Sequence, residues 1–292
     1  MKKELKLSVC VVTYNQENYI AECLQSLVGQ KTNFKFEIIV SDDCSTDNTR
    51  NIILDFSKRY PDIFRIFLHE NNMGALKNFK FIHGRANGKY IAHMDGDDYA
   101  LPKKLQTQVD FLDANPNCNI VFHRVDYIDN GEYIKGSVLT DRVLEYKFYR
   151  PDIIKYISIG PNTSKMYRAE IRSVEFPNFD LVDYTVNVIG IGSGYASYCS
   201  KESLGVYRRG IGISGSTTVN TIVYESLKYF THRYPDCKKE INISSWTWFF
   251  SSLKHGRKSK WKFFKVALYT FSISGFLSYF LSRSFRRELS GL

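Results

Sequence analysis

Residues 90–98 read Tyr-Ile-Ala-His-Met-Asp-Gly-Asp-Asp, an apolar run that ends in three carboxylates, Asp95, Asp97 and Asp98. Like charges held this close repel one another and call for a positive partner. A divalent cation that also holds a diphosphate would serve, because hard cations take oxygen ligands and bridge phosphates. An acidic surface loop would carry the same letters, so the cluster gains meaning only from its company. Thr13-Tyr14-Asn15 closes one apolar run upstream, Asp42-Asp43 closes a second, and Asn71-Asn72-Met73-Gly74 follows a third.

The elements that must position these groups are legible as runs of strand length. Residues 7–13, 36–40, 63–68, 89–94 and 120–128 are apolar enough for buried strands. Helical spacing fills the gaps, over 15–28, 49–60 and 74–86, and after Pro102 with Leu105, Val109 and Leu112 on one face. Strand–helix alternation predicts a parallel sheet covered on both faces. Ligands of such sheets bind beyond the carboxyl ends of the strands. All four polar clusters fall at those ends and would converge on one crevice.

Residues 130–215 are less regular. Asn130-Gly131 signals a hairpin turn, residues 164–167, 195–199 and 204–207 are short strand candidates, and 181–189 reads as a short helix. The remainder is helical and aromatic. The expected division is a catalytic domain over 1–215 and a helical, basic extension over 216–292.

Charge supports that division. The chain of 292 residues carries a net +10, and residues 254–292 alone hold nine Lys/Arg against one acid, Glu288, for +8. A basic tail points to a local partner and not to nucleic acid. Within it, residues 266–282 are uncharged, and Thr270, Ser274, Ser278 and Ser282 repeat every fourth position. As a single helix this stretch would show one polar stripe. Its basic flanks, with Trp246, Trp248 and Trp261 as interfacial anchors, suggest a helix lying on an anionic membrane surface. Seventeen residues fall short of a square span. The plain alternative is a C-terminal helix packed on its own domain. Six cysteines without metal spacing read as free thiols. No signal peptide is visible at the start, so the expected place is the cytoplasm, at the inner face of the plasma membrane.

Taken together, SVCVVTYNQENYIAECLQSLVGQ, EIIVSDDCSTDNT, NNMGALKNF, GKYIAHMDGDDYALPKKLQTQ and LVDY followed by LGVYRRGIGISGS resemble the family 2 glycosyltransferases, particularly those that build bacterial surface polysaccharides. The resemblance covers residues 6–215. It implies an α/β GT-A fold with a Rossmann-like, mostly parallel sheet. It also implies a nucleoside-diphosphate sugar donor, a UDP-sugar foremost, a divalent metal (Mn²⁺ or Mg²⁺), and inversion at the anomeric carbon. The acceptor would be a glycan hydroxyl, lipid-linked if the tail meets a membrane.

The resemblance also carries roles. Asp43 would bind the nucleobase, while Thr13 and Asn15 would frame the nucleotide, though turn and cap residues would read the same. Asn72, Gly74 and Asn78 match a third nucleotide motif. Lys77 beside them reads as a solvated helix lysine. Asp97 would hold the metal directly. Asp95 would bind the ribose, or the metal through water. Gly96 lets the backbone turn beneath the nucleotide, and Asp98 would orient its neighbours. Asp183 matches the general base, with a dipole-favoured helix acid as the plain reading and Asp180 as the rival base. His93 reads as a core histidine.

The family's downstream motif usually continues with a histidine, where this chain has Gly210-Ile211. Arg208 or Arg209 would then supply the charge on the diphosphate. Gly210, Gly212 and Gly215 would make a mobile lid.

Two rivals remain. A sugar-1-phosphate nucleotidyltransferase would need a Gly-rich, basic loop where Thr13-Tyr14-Asn15-Gln16 stands. A glycan-binding scaffold with an inactive GT-A domain would have little reason to keep Asp43, Asp95, Asp97 and Asp183 together.

Overall fold

The apolar runs form β1 (Leu5–Thr13), β2 (Lys35–Asp42), β3 (Phe64–Leu68) and β4 (Tyr90–Asp95), and the centres of β1, β2 and β4 are buried on both faces. The computed structural model describes residues 4–173, 175–211 and 217–290. Between the strands run α1 (Ile20–Val28), α2 (Thr49–Arg59) and α3 (Ala75–Gly84). α1 buries Ile20, Cys23, Leu24 and Leu27, the spacing of one helical face.

After β4 come β5 (Tyr99–Ala100), α4 (Lys104–Ala114), β6 (Cys118–Asp129), β7 (Glu132–Ile134), α5 (Asp141–Leu144), α6 (Arg150–Tyr156), β8 (Met166–Arg168), α7 (Asp183–Gly190) and β9 (Tyr195–Arg208). Five helices follow: α8 (Thr217–Arg233), α9 (Lys238–Lys254), α10 (Lys260–Tyr269), α11 (Ile273–Leu281) and α12 (Arg283–Ser290).

The strands form one sheet in the order β3-β2-β1-β4-β8-β6-β9-β5, with β7 paired to β6. The long ladders, β1 with β2 and β4, β2 with β3, and β6 with β9, are parallel; the short ones are antiparallel. The chain leaves β1 toward β2 and β3, then returns to place β4 on the other side of β1. A crevice opens where strand order reverses in this way. Register puts Thr13 opposite Asp42 and Val12 opposite Asp95, so the polar clusters end at one level.

Two expected strands, 195–199 and 204–207, are one. β9 runs unbroken past exposed Lys201 and Glu202 because it shifts register against β6 around Arg124. Asn130 and Gly131 both take positive φ, 50° and 83°, as a tight hairpin between β6 and β7 requires.

Two compact units emerge, and neither follows a single cut in the sequence. One holds residues 1–146, 160–173 and 194–212, with the whole sheet; the other holds 147–159, 174–193 and 213–292. In the second unit Tyr184 Oη donates to the Ile154 carbonyl at 3.0 Å, and Asn242 Nδ2 donates to Ala267 O at 2.7 Å.

The single helix expected over 266–282 does not form. α10 stops at Tyr269. Buried Thr270 turns its hydroxyl back to Val266 O at 2.7 Å, and Ser272 caps α11 by accepting from Gly275 N. Of the four stripe positions, Thr270 and Ser282 are buried and bond back to the carbonyls of Val266 and Ser278, so the stripe does not face outward as a whole. Trp246 is not an anchor either: it is buried among Phe249, Phe250, Phe264 and Phe276. Trp248 stacks on Phe263. Of the three tryptophans only Trp261 is exposed. Among the described residues no helix is long and apolar enough to cross a membrane. All six cysteines are free.

Gly88, just before β4, packs directly against the backbone of β1. A Cβ there would lie 2.5 Å from Ser8 N and 2.6 Å from Leu7 C, both backbone atoms of the central strand. Gly84, at the end of α3, has open space. Gly88→Ala is expected to destabilise the chain by about 1–3 kcal/mol. Gly84→Ala should stabilise it by roughly 0.4–1 kcal/mol. Urea denaturation of the two variants checks the opposite signs.

Candidate functional site

The first unit gathers most of the residues that the sequence points to. Thr13, Asp43 and Asp95 stand at or just past the ends of β1, β2 and β4. The loop after β1 is tied to the loop after β2. Asn15, at a φ of 50°, donates its N–H to Ser45 Oγ at 2.8 Å and accepts from Thr46 N at 2.8 Å. Gln16 N donates to Thr49 Oγ1 at 2.8 Å. Beneath them Asp42 is fully buried, with Arg50 Nε at 2.7 Å and Ser45 N at 3.0 Å.

Asp43 is 3% exposed and accepts from Met73 N at 2.8 Å and Gly74 N at 2.9 Å. It thereby fastens the loop after β3 to the end of β2. Gly74 takes a φ of +88°, and its N–H is shared with Asn72 Oδ1 at 3.0 Å. Asn78 is buried. Its Nδ2 donates to Ser41 O at 3.1 Å and its Oδ1 accepts from the Ser41 hydroxyl. Both ends of that amide are engaged in holding α3 to β2. Lys77 is exposed, as read from sequence.

At the end of β4 the backbone turns at Gly96, whose N–H donates to Val12 O at 2.9 Å. A Cβ on Gly96 would lie 2.5 Å from Gln16 Oε1 and 3.0 Å from Thr13 Oγ1. Both of those oxygens are buried without a hydrogen-bond partner in the described structure. Buried acceptors of this kind are rare and mark places where a ligand group can enter. Asp97 sits beside them. Burial, and after it the charge of Asp95, pushes its carboxyl up to about 6. Asp98 is raised further by burial, Asp95 and Asp97. Burial works against an ionised Asp95 too, but contact with His93 and the fields of Lys165 and Lys104 hold it below the ordinary value.

The protein supplies much of the positive charge that the cluster needs. Lys104 and Lys165 are both buried, at 1% and 2% exposure. Lys104 Nζ donates to Thr163 O at 2.7 Å, and burial lowers it to about 8. Arg208 lies between the rings of Tyr19 and Tyr99, at 5.0 and 5.3 Å. Its guanidinium donates to the Asp97 carbonyl and pairs with Glu22, while its N–H donates to Asp98 Oδ1 at 2.8 Å. Repulsion among the carboxylates alone therefore does not demand a metal. Arg209 is directed elsewhere, over the Tyr127 ring at 3.9 Å and 3.6 Å from Asp129.

Among the described residues no three His, Cys, Asp or Glu side chains are grouped to hold a metal by themselves. Asp95 and Asp97 still offer the hard oxygen donors that Mg²⁺ or Mn²⁺ prefers, and such ions commonly take one or two carboxylates and complete their shell with phosphate and water. The residues present fit a cation that arrives with a diphosphate.

Asp183 belongs to the second unit. It opens α7, is exposed, and accepts from Tyr184 N at 2.8 Å; Asp180 lies exposed in the preceding loop. Gly212 and Gly215 of the expected lid fall outside the described residues.

Sequence reasoning missed Gln16, Glu22, Lys104, Lys165 and the histidine at position 83. Gln16 had a signal, lying in the loop after the first strand. A buried lysine on a helix or strand looks in sequence like a solvated one.

The family model described as "Glycosyl transferase family 2" matches residues 8–174. An uncharacterized protein of Mycobacterium tuberculosis is 43% identical over 207 residues, covering 70% of this chain and 58% of its own length. The chain thus spans somewhat over half of the curated relatives it matches. A crystal structure of Staphylococcus aureus TarS 1–349 in complex with UDP-GlcNAc aligns with a TM-score of 0.63 at 22% identity, covering 81% of this chain and 70% of that one. A Pyrobaculum calidifontis mannosyltransferase in complex with GDP-Man and Mn²⁺ aligns with a TM-score of 0.58 at 15% identity, covering 99% and 86%. At these identities the two structures show the shared GT-A fold.

The raised Asp97 value has a testable consequence for stability. Its folded value of about 6 lies above the ordinary 3.8, so the folded chain binds more protons than the unfolded one between those pH values. Stability then falls as pH rises through that window. In chelator-containing buffer Asp97→Asn should stabilise the chain by on the order of 1–3 kcal/mol at about pH 7.5. The gain should vanish near about pH 4, where both side chains are neutral in the fold. Urea titrations at the two pH values decide it, and no gain at the higher pH would refute the electrostatic reading.

Proposed function

The chain belongs to glycosyl transferase family 2, and on that premise we propose that it moves a sugar from a nucleoside diphosphate to a hydroxyl of a bacterial surface polysaccharide, with inversion. The observation that carries this reading is the meeting of Thr13, Asp43, Gly96 and Asp97 at the reversal point of the sheet, with buried acceptors open beside them.

The loops after β1, β2 and β3 form the nucleotide cradle. Asp43 holds the loop at Met73 and Gly74, and its remaining lone pairs would accept from the base. Thr13 and Asn15 frame the nucleoside, and Asn78 fixes α3 beneath it. Asp95 would bind the ribose, or the cation through water. Asp97 would hold the divalent cation, which when bound neutralises charge building on the diphosphate. Arg208 adds a fixed cation at the same end of β4; Arg209, stacked on Tyr127, is the weaker candidate. Asp183 acts as general base: it takes the proton of the acceptor hydroxyl as that oxygen attacks the anomeric carbon and the bond to the diphosphate breaks. A single displacement inverts the centre. UDP-sugars lead as donors, since the TarS structure contains UDP-GlcNAc, with GDP-sugars next. TarS is named as a poly(ribitol-phosphate) β-N-acetylglucosaminyltransferase, which favours a surface polymer as acceptor.

A lipid-linked acceptor and a place at the inner face of the plasma membrane are supported by the second unit. Leu268, Tyr269, Phe271, Ile273, Leu277 and Leu281 are exposed, the last by 82%. Exposed Lys262, Lys265, Arg283 and Arg287 accompany them. Apolar side chains on and between α10 and α11, with basic charge on α10 and α12, suit an anionic interface.

Asp97→Ala should abolish Mn²⁺-stimulated transfer. Asp183→Asn should slow transfer by about 10²–10⁴-fold while leaving UDP binding intact. A radiolabelled-donor assay with calorimetry reads both. Normal transfer by Asp97→Ala would remove the metal role, and lost UDP affinity in Asp183→Asn would move that residue to the nucleotide site. Donor binding without transfer to any acceptor would favour the inactive, glycan-binding reading.

Membrane attachment is best tested without truncation, because Phe263, Val266 and Phe285 of the tail are buried. Ile273→Glu together with Leu281→Glu should weaken sedimentation with phosphatidylglycerol vesicles by about 10-fold or more, given roughly 1.5–3 kcal/mol for each buried apolar side chain. Wild-type protein that stays in the supernatant at low salt would refute attachment.

A further inference from the structure

A line of buried polar groups runs from Asp95 into the sheet, and the proposed mechanism does not use it. His93 lies on β4, two residues before Asp95, and is 1% exposed. Its Nε2 is 3.1 Å from Asp95 Oδ1. Its Nδ1 is 2.9 Å from Nε2 of His83 on α3, and His83 Nδ1 is 2.6 Å from Oη of Tyr167 on β8. Phe79 stacks on His83 with ring centroids 3.9 Å apart and tilts against His93 at 5.2 Å. Lys165 Nζ lies 5.5 Å from the Phe79 ring, and the Lys165 carbonyl accepts from His93 N.

An ionised carboxylate only accepts, so His93 Nε2 carries a proton toward Asp95. The two contacts further in join groups that can each give or take a hydrogen bond, so the line is continuous from Asp95 to Tyr167. A break in it would leave a buried polar group without a partner in a dry interior, which is costly. Burial, and then the fields of His93 and Lys165, keep His83 neutral. Burial keeps the Tyr167 hydroxyl protonated, with Cys10 adding to the effect and Arg172 opposing it. Apolar side chains would fill the same volume without these demands, so three matched polar groups in series need a reason.

We propose that Tyr167, His83 and His93 form a hydrogen-bonded chain that orients the Asp95 carboxylate in the nucleotide-sugar site, making all three positioning residues. One Asp95 oxygen is held by His93, while its side chain keeps 34% of its surface open toward solvent for a ligand. Partners that hold a ligating or substrate-binding side chain typically change affinity or activity by about 10–100-fold when removed. The proposal rests on the reading of Asp95 as a site residue, and the experiment separates the two.

Nitrogen-15 NMR of the histidine rings, assigned with single His→Gln variants, reports tautomers without any ligand. At neutral pH His83 should be neutral, and His93 should carry a proton on Nε2. Tyr167→Phe should shift the His83 ring signature, and His83→Leu that of His93. Calorimetry with UDP plus Mn²⁺ and with GDP plus Mn²⁺ is then run on the same proteins. His83→Leu should lose about 10–100-fold in nucleotide affinity. His83→Gln, which keeps an N–H donor and an oxygen acceptor, should recover most of it. A His93 Nε2 without a proton in the wild type would overturn the chain. So would a His83→Leu variant with unchanged His93 signature and affinity, or equal losses in the Leu and Gln variants. If Asp95→Asn binds both nucleotides as well as the wild type does, the site reading itself fails, whatever the ring nitrogens show.

Discussion

Three carboxylates, Asp95, Asp97 and Asp98, must be kept together in a largely buried place at the end of β4, and the head of the sheet is organised around that constraint. Water cannot screen them there, so the fold brings charge and donors to them. Lys104 comes from α4, Lys165 from the segment before β8, Arg208 from the end of β9, and a histidine N–H from within β4 itself. The compensation is uneven. Asp95 is held ionised, while Asp97 and Asp98 are pushed upward, so they are the carboxylates with most to gain from an arriving cation.

Geometry follows from the parallel ladders. β1 lies between β2 and β4 in register, so the loops at their carboxyl ends start from one level. Side chains then tie those loops to each other: Asn15 to the loop after β2, and Asp43 to the loop after β3. Much of the resembled nucleotide motif is thus spent on internal bonding. That expense pre-organises the cradle, and preorganised dipoles act on developing charge without having to reorient.

The second unit shows the limits of reading a tail by composition. Its uncharged stretch was expected as one striped helix, yet Thr270 and Ser272 end one helix and cap the next. Periodicity of serine every fourth residue cannot tell an exposed stripe from hydroxyls that bond to their own backbone, because both place an oxygen at the same interval. Apolar exposure nevertheless collects on α10 and α11, at Leu268, Ile273, Leu277 and Leu281. Trp246, by contrast, went into the aromatic core that holds α9, α10 and α11 together.

What the sequence determined by itself was the α/β class, the positions of β1 to β4, the buried face of α4 and the placing of polar clusters at strand ends. These depend on local quantities: runs of apolar residues, their period, and turn residues between them. It also identified the family through five motifs in order, from SVCVVTYNQENYIAECLQSLVGQ to LVDY followed by LGVYRRGIGISGS. Only the tertiary structure decided which of these groups meet a partner and what that partner is. Lys104 and Lys165 are written like solvated lysines, and nothing near them in sequence says that they are buried beside carboxylates. His83 and Tyr167 are 84 residues apart and share one hydrogen bond. The union of residues 195–208 into one strand and the interleaving of 147–159 and 174–193 with the C-terminal helices were equally hidden. The physical reason is common to all of them. Burial and pairing energies arise between residues distant along the chain, so they take values only once the backbone has closed.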